Sequence, residues 1–223
     1  MFKPSWQTTC RQHAEAQALT EASQTWQIEP SDSLPFNYRW EHVQAVVRLA
    51  LWLAYQLGGD IEIIEAAAWL HDVRKGVPQH ALHGAEAAAQ ILPTTNFPAH
   101  KIAAVAAAIR QHEGLFRPPN AAPLQPLETA ILWDADKLSK IGVQAVTISL
   151  SSGYSAGKTL GERRLDIATF VQTTLSRTVA SMNTPLARQE AERRYAAMLA
   201  LLNTWQEEEL VYNTEIANFS AGR

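Results

Sequence analysis

Apolar positions recur along this chain at steps of three and four residues, the period of a helix with one buried face. Val43, Val46, Val47, Ala50, Ala54 and Leu57 form one such stripe. Gly58-Gly59 ends it, and Asp60 can cap a second helix over residues 61–72. Lys75-Gly76-Val77-Pro78 reads as a loop, after which an Ala-rich helix opens at His83 and ends near Leu92-Pro93. Asn96 and Pro98 suit the start of a fourth helix, with Ile102, Val105, Ile109 and His112 on one face. Four prolines and Gly114 make residues 113–126 a loop, and a fifth helix follows over 127–143. A Gly/Ser-rich loop, 151–161, then leads to two further helices at 163–182 and 186–212. The last carries an amphipathic stripe of Tyr195, Met198, Leu199, Leu202 and Trp205. Ahead of all this, residues 1–35 read as one helix (6–26) and a linker rich in Pro, Ser and Asp, packed on a single domain formed by 36–223. Val143–Leu150 has the composition of a strand but no partner strand, so the predicted fold class is all-α.

Composition changes this picture little and excludes some functions. With 223 residues, 47% hydrophobic and 18% charged, the chain can bury a sizeable core. A formal net charge of −3 gives no basic footprint, so no nucleic-acid partner is expected. A phosphorylated ligand would need local positive charge or metal ions. The single cysteine, Cys10, cannot form an internal disulfide and fits a reducing, cytoplasmic setting. No basic segment followed by an apolar one opens the chain. The longest apolar stretch, 45–57, is interrupted by Arg48 and Gln56, so no membrane association is expected.

The candidate chemistry rests on polar residues that fall on apolar stripes. His42 shares a helix face with Val46, Leu49 and Leu53; His71 with Ile64, Ala67 and Ala68; His112 with Ile109, Val105 and Ile102. A core histidine bonded to a carbonyl explains any one of them. Several inward histidines, an adjacent His71-Asp72 pair and a late carboxylate are better explained by shared divalent metal, because neutral imidazole and carboxylate together suit Mn, Fe, Co, Ni or Zn. For the late carboxylate, periodicity aligns Asp134 with Leu127, Ala130, Ile131 and Leu138. Asp136, two residues on, points about 200° away on a helix, so only one of the two can face a metal.

The order His42, His71-Asp72, Asp136 resembles the HD-domain metal-dependent phosphohydrolases, and more closely their small bacterial cytosolic members. Asp134-Ala135-Asp136-Lys137-Leu138 followed by Ile141-Gly142, and Met182-Asn183-Thr184 followed by a basic amphipathic helix (188–198), are similar to segments of that group. The resemblance covers roughly residues 36–210 and departs at Ser139, where these proteins often have another Asp. It implies an HD-domain helical bundle holding one or two divalent ions (Mn, Fe, Co, Ni, Mg or Zn). His42, His71, Asp72 and Asp136 are the implied ligands. Lys75, three residues after Asp72, is implied to touch a phosphate oxygen. Members with two metals add two histidines, which His83 and His112 resemble, with Asp72 then bridging the ions. The family pattern favours Asp136 as ligand, leaving Asp134 behind it to orient a histidine. His80 reads as a loop residue, and Arg39 and Glu113 as structural salt bridges or a solvated face.

The implied activity is hydrolysis of a phosphate ester or anhydride of a small metabolite or nucleotide by metal-activated water, with Asp72 and Lys75 as catalytic residues. A non-catalytic, metal-binding regulatory module is the alternative from another class, and an HD-type di-iron oxygenase would use the same ligands. The Gly-Tyr-Pro that follows the His-Glu of cyclic-di-GMP hydrolases is absent after His112-Glu113. A homodimer is compatible with the exposed helical stripes. Gly153-Tyr154-Ser155-Ala156-Gly157-Lys158-Thr159 resembles a phosphate loop but has three residues between its glycines where four are needed. It reads instead as a partly basic lid near the pocket.

Overall fold

Local sequence signals place the helices that carry the candidate ligands. The Asn37 side chain accepts a hydrogen bond from the Trp40 N–H, and the following helix ends where Gly58 turns left-handed at φ 77°. Asp60 caps the next helix by accepting from the Glu62 and Ile63 N–H groups. A computed structural model of the chain describes residues 3–29 and 33–221. Part of the expected linker, residues 30–32, lies outside the described residues.

The described residues are all-α, with no strand among them. In chain order the helices are α1 (Trp6–Trp26), α2 (Tyr38–Leu57), α3 (Ile61–Leu70), α4 (His80–Ile91), α5 (Ile102–Arg110), α6 (Leu127–Leu138), α7 (Val143–Leu150), α8 (Leu160–Phe170), α9 (Ser176–Ala180) and α10 (Pro185–Ala221). Helix α6 is the axis of the fold: every residue from Thr129 to Leu138 is buried. Helices α2, α3 and α5 pack around it, α4 lies on α5, and α1 crosses α2 and α3. Gly84 permits the close approach of α4, since a Cβ there would sit 3.2 Å from the His71 carbonyl oxygen and 3.3 Å from Ile109 Cγ2. No helix among the described residues is long and apolar enough to cross a membrane.

Several boundaries differ from the sequence expectation, each for a local reason. Helix α4 begins at His80 rather than His83, because Gln79 adopts a left-handed turn (φ 54°) that starts the helix a turn early. Residues 143–150 are helical despite their β-branched content, there being no strand to pair with. Helix α6 ends at Leu138 instead of 143, because Gly142, at φ 114°, breaks the path between α6 and α7. The expected helix over 163–182 starts at Leu160, fixed by a Thr159/Glu162 capping box, and is divided into α8 and α9 by a π turn at Val171–Leu175. Helix α10 is longer than expected at its far end, reaching Ala221.

Candidate metal centre

The ligand candidates reach one point from four directions. His42 lies in the second turn of α2 on its buried face, and His71 ends α3 with Asp72 in the turn beyond it. His112 follows α5, and Asp136 projects from α6. All are buried, His71 completely. Asp72 divides its two oxygens between two groups. Its Oδ2 lies 3.6 Å from His42 Nε2 and 3.5 Å from His71 Nε2, with Asp136 Oδ1 3.4 Å from His42 Nε2. Its Oδ1 lies 3.4 Å from His112 Nε2 and 3.5 Å from His80 Nε2. Two ligand trios therefore share one carboxylate: His42, His71 and Asp72, and Asp72, His80 and His112.

The donor chemistry fits divalent cations. His71 Nδ1 faces the Ala68 carbonyl at 2.7 Å and His112 Nδ1 faces the Ile109 carbonyl at 2.6 Å, which places the ring proton on Nδ1 and a lone pair on each Nε2. Ser139 Oγ donates to the Asp136 carbonyl at 2.6 Å, so it accepts from His42 Nδ1–H at 3.0 Å and leaves the His42 lone pair on Nε2 too. His42 Nε2 and His71 Nε2 then face each other at 3.4 Å as two acceptors with no proton between them. Such a pair calls for a positive charge in its midst. Burial drives His42 down to about 3 and His71 to about 4, so both are neutral. Burial pushes Asp72 and Asp136 up, but the ammonium groups beside them, Lys75 at Asp72 and Lys137 and Lys140 at Asp136, hold both well below the usual carboxylate range.

Cations ring this centre. Lys75 Nζ stands 3.6 Å from Asp72 Oδ1 and 3.2 Å from His80 Nε2. Lys137, almost fully buried, bonds Asp136 and donates to the His112 carbonyl at 2.7 Å. Lys140 also bonds Asp136, and burial lowers its ammonium to about 8. Arg39 donates to Asp72 Oδ2 at 3.2 Å and to Glu21 of α1.

Three site expectations need correction or refinement. His83 does not join the cluster. It is exposed and pairs with Glu86 at 3.2 Å. The buried face of α4 runs through Ala81, Gly84, Ala85 and Ala88, and His83 is about 200° from both Ala81 and Ala85. His80, expected in a loop, takes that place: one turn before Gly84, its Nε2 faces Asp72 and its Nδ1 lies 3.4 Å from Glu113. Asp134 orients no histidine. It accepts from the Asn183 N–H and Nδ2 at 2.7 and 2.9 Å and from the Thr184 N–H and Oγ1, both at 2.8 Å, tying the start of α10 to α6. Asp136 is thus the member of the pair that faces the centre. Ser139 and Lys140 were legible as companions of Asp136, three and four residues on along the same face.

A cavity of about 430 Å³ opens beside the centre, with Arg39, His42, Ser139 and Lys140 in its wall. Tyr38, Tyr154 and Phe170 give it aromatic surface, and Lys158 and Arg163 add positive charge. The glycine-rich segment therefore lines the cavity. It is no phosphate loop: Gly153–Ser155 forms one 3₁₀ turn after a helix, and Lys158 pairs with Asp166 at 2.6 Å.

The HD-domain family model matches residues 39–141, from Arg39 to Ile141, which spans both trios. Among solved structures, the chain is similar to a protein from Lactobacillus plantarum at 23% identity, covering 95% of this chain and 100% of that one with a TM-score of 0.63. It is also similar to YpgQ of Bacillus subtilis in complex with ADP, at 22% identity over 90% of this chain and 96% of that one, TM-score 0.58. A predicted HD superfamily hydrolase from an uncultured Thermotogales bacterium is 25% identical over 86% and 91% of the two chains, TM-score 0.51. No curated protein matches the chain. Residues 39–141 thus carry an HD domain, with α1, α7 and the helices after it lying outside the matched segment.

Proposed function

We propose that this HD-domain protein is a metal-dependent phosphohydrolase, cleaving a phosphate ester or anhydride of a small phosphorylated molecule. The observation that carries this reading is the Asp72 carboxylate, one oxygen facing each histidine trio, beside a cavity with a basic wall. His42, His71, Asp72 and Asp136 would hold one ion, and Asp72, His80 and His112 a second. The ions would supply neutralisation of phosphoryl charge and a water of lowered pKa.

The chain's own residues do the rest. Lys75, a third exposed at the edge of the centre, offsets charge that builds on phosphoryl oxygens. Lys140 and Arg39, in the cavity wall, orient the phosphate towards the trios. Nδ1 bonds to Ala68, Ile109 and Ser139 keep three imidazole lone pairs aimed inward, so the donor set needs no rearrangement. The cavity is of small-molecule size, and its tyrosines and Phe170 offer flat apolar contact for a base or similar ring. The ADP held by the Bacillus subtilis relative puts nucleotides first among substrates to try.

The test is phosphate release from nucleoside mono-, di- and triphosphates and simple phosphate esters, with the protein loaded in turn with Mn, Co, Fe, Ni, Mg and Zn. Turnover that disappears in His71→Ala and Asp72→Ala supports the reading. Bound metal with no turnover across the panel would favour the regulatory module.

A further inference from the structure

A second cavity, of about 310 Å³, lies apart from the metal centre and shares no lining residue with the first. Pro118, Pro119 and Pro123 stiffen the loop on one side, and the junction of α9 and α10 closes the other. Three guanidinium groups line it, Arg117, Arg177 and Arg188, and no Asp or Glu does. Elsewhere Arg39, Arg164, Arg193 and Arg194 each pair with a carboxylate. Among the described residues the three cavity arginines do not.

Their anchoring leaves donors over. Arg117 is fixed by Asn183 Oδ1 and the Ala122 carbonyl, both at 2.6 Å. Arg188 gives one N–H to the Met182 carbonyl at 3.0 Å. Arg177 lies 3.4 Å over the Phe116 ring, which orients its plane without using its N–H groups. With no carboxylate among them, the three guanidinium groups, Arg177 and Arg188 of them exposed, make a local positive patch in a chain of net charge −3. Planar forks with free N–H groups match the oxygens of a phosphate better than a single carboxylate.

We propose that this cavity is a second anion site, taking the phosphate group of a small phosphorylated ligand away from the metal centre. Its position ties it to that centre. The loop that builds it leaves directly from His112-Glu113, and Asn183, which accepts from Arg117, is also held by Asp134 of α6. A phosphate here grips the segment between a histidine of one trio and the helix that carries Asp136.

The experiment is calorimetric titration of inorganic pyrophosphate into the full-length, EDTA-stripped protein at fixed ionic strength. Wild type should bind pyrophosphate at the arginine-lined cavity. Arg177→Gln/Arg188→Gln should weaken that binding about tenfold or more, with melting temperature unchanged. Ala180→Glu, at an exposed position of the same lining, sets a carboxylate among the arginines and should close the same site. Lys158→Gln/Arg163→Gln should spare it. If the double arginine variant and Ala180→Glu both bind pyrophosphate with wild-type stoichiometry and affinity, the proposal is overturned. Equal weakening by chloride at that ionic strength would overturn it as well. The measurement uses no metal and no turnover, so it stands apart from the hydrolase reading.

Discussion

The two oxygens of Asp72 face different histidines, and that makes the roles of neighbouring residues separable. His80 contributes to the Oδ1 side alone. Replacing it with alanine should lower metal content from two equivalents to one, while His83→Ala should leave the wild-type value. Elemental analysis of the purified variants decides between them, and loss of metal in His83→Ala would refute this assignment. Arg39 is the other residue whose part is read only from its contacts. It spans the Asp72 carboxylate and Glu21 of α1 in a largely buried position. Glu21→Ala leaves half of that arrangement without its counter-charge, which for buried ion pairs costs about 3–5 kcal/mol. A denaturant midpoint close to wild type would show instead that Arg39 is held by Asp72 alone. The sequence makes His42, His71, Asp72 and His112 legible because each falls on an apolar stripe or beside one. It hides His80, because nothing in Lys75–Gln79 reveals that Gln79 turns left-handed and starts α4 early. Glu21 is invisible for a different reason: its partner lies on another helix, and no local pattern links the two.

At the scale of elements, α6 shows how one helix serves both the site and the fold. Buried all round, it presents Asp136 to the centre and Asp134 to the start of α10. Periodicity alone could not choose between the two carboxylates, since a helix buried on every side has no single inner face. Asp134 receives four hydrogen bonds, two of them from backbone N–H groups that have no other partner near. Asp134→Ala should therefore destabilise the protein by about 3 kcal/mol or more, the consequence of stranding several buried donors. Metal content of the folded variant should match wild type, because Asp134 touches none of the ligand histidines. Loss of metal with unchanged stability would return Asp134 to the role of orienting a histidine. The helices themselves are legible where a cap is explicit, as at Asp60, or where glycine ends a stripe, as at Gly58. Ser151 to Gly161 is different: its role as a cavity wall depends on packing against α1 and α2, which composition does not encode.

For the molecule as a whole, the centre joins α2, α3, α5 and α6, so its protonation state bears on the stability of the entire bundle. In the metal-free protein His42 is held near 3 and His71 near 4 by burial, whereas an unfolded chain titrates its histidines near 6.5. Below that value the unfolded state takes up protons that the native state refuses. Unfolding free energy must then fall as pH drops from about 6.5 towards 4, by up to about 1.4 kcal/mol per pH unit for each of the two imidazoles. Above about pH 7 both states are neutral at these positions and the dependence on them vanishes. The carboxylates act in a lower range: Asp72 and Asp136 stay ionised in the native state well below 3.8, so the stability they contribute is lost only under more acid conditions. Divalent cation binds the same imidazoles, which the folded protein already holds neutral, so the stabilisation from saturating metal should change little between pH 7.5 and pH 5.5. Denaturant unfolding of EDTA-treated and metal-loaded protein across pH 7.5 to 4.5 measures both effects. A metal-free curve that stays flat from 7 to 5 would mean that the histidines are not held neutral in the core, and the inward-facing lone pairs would have to be abandoned with them.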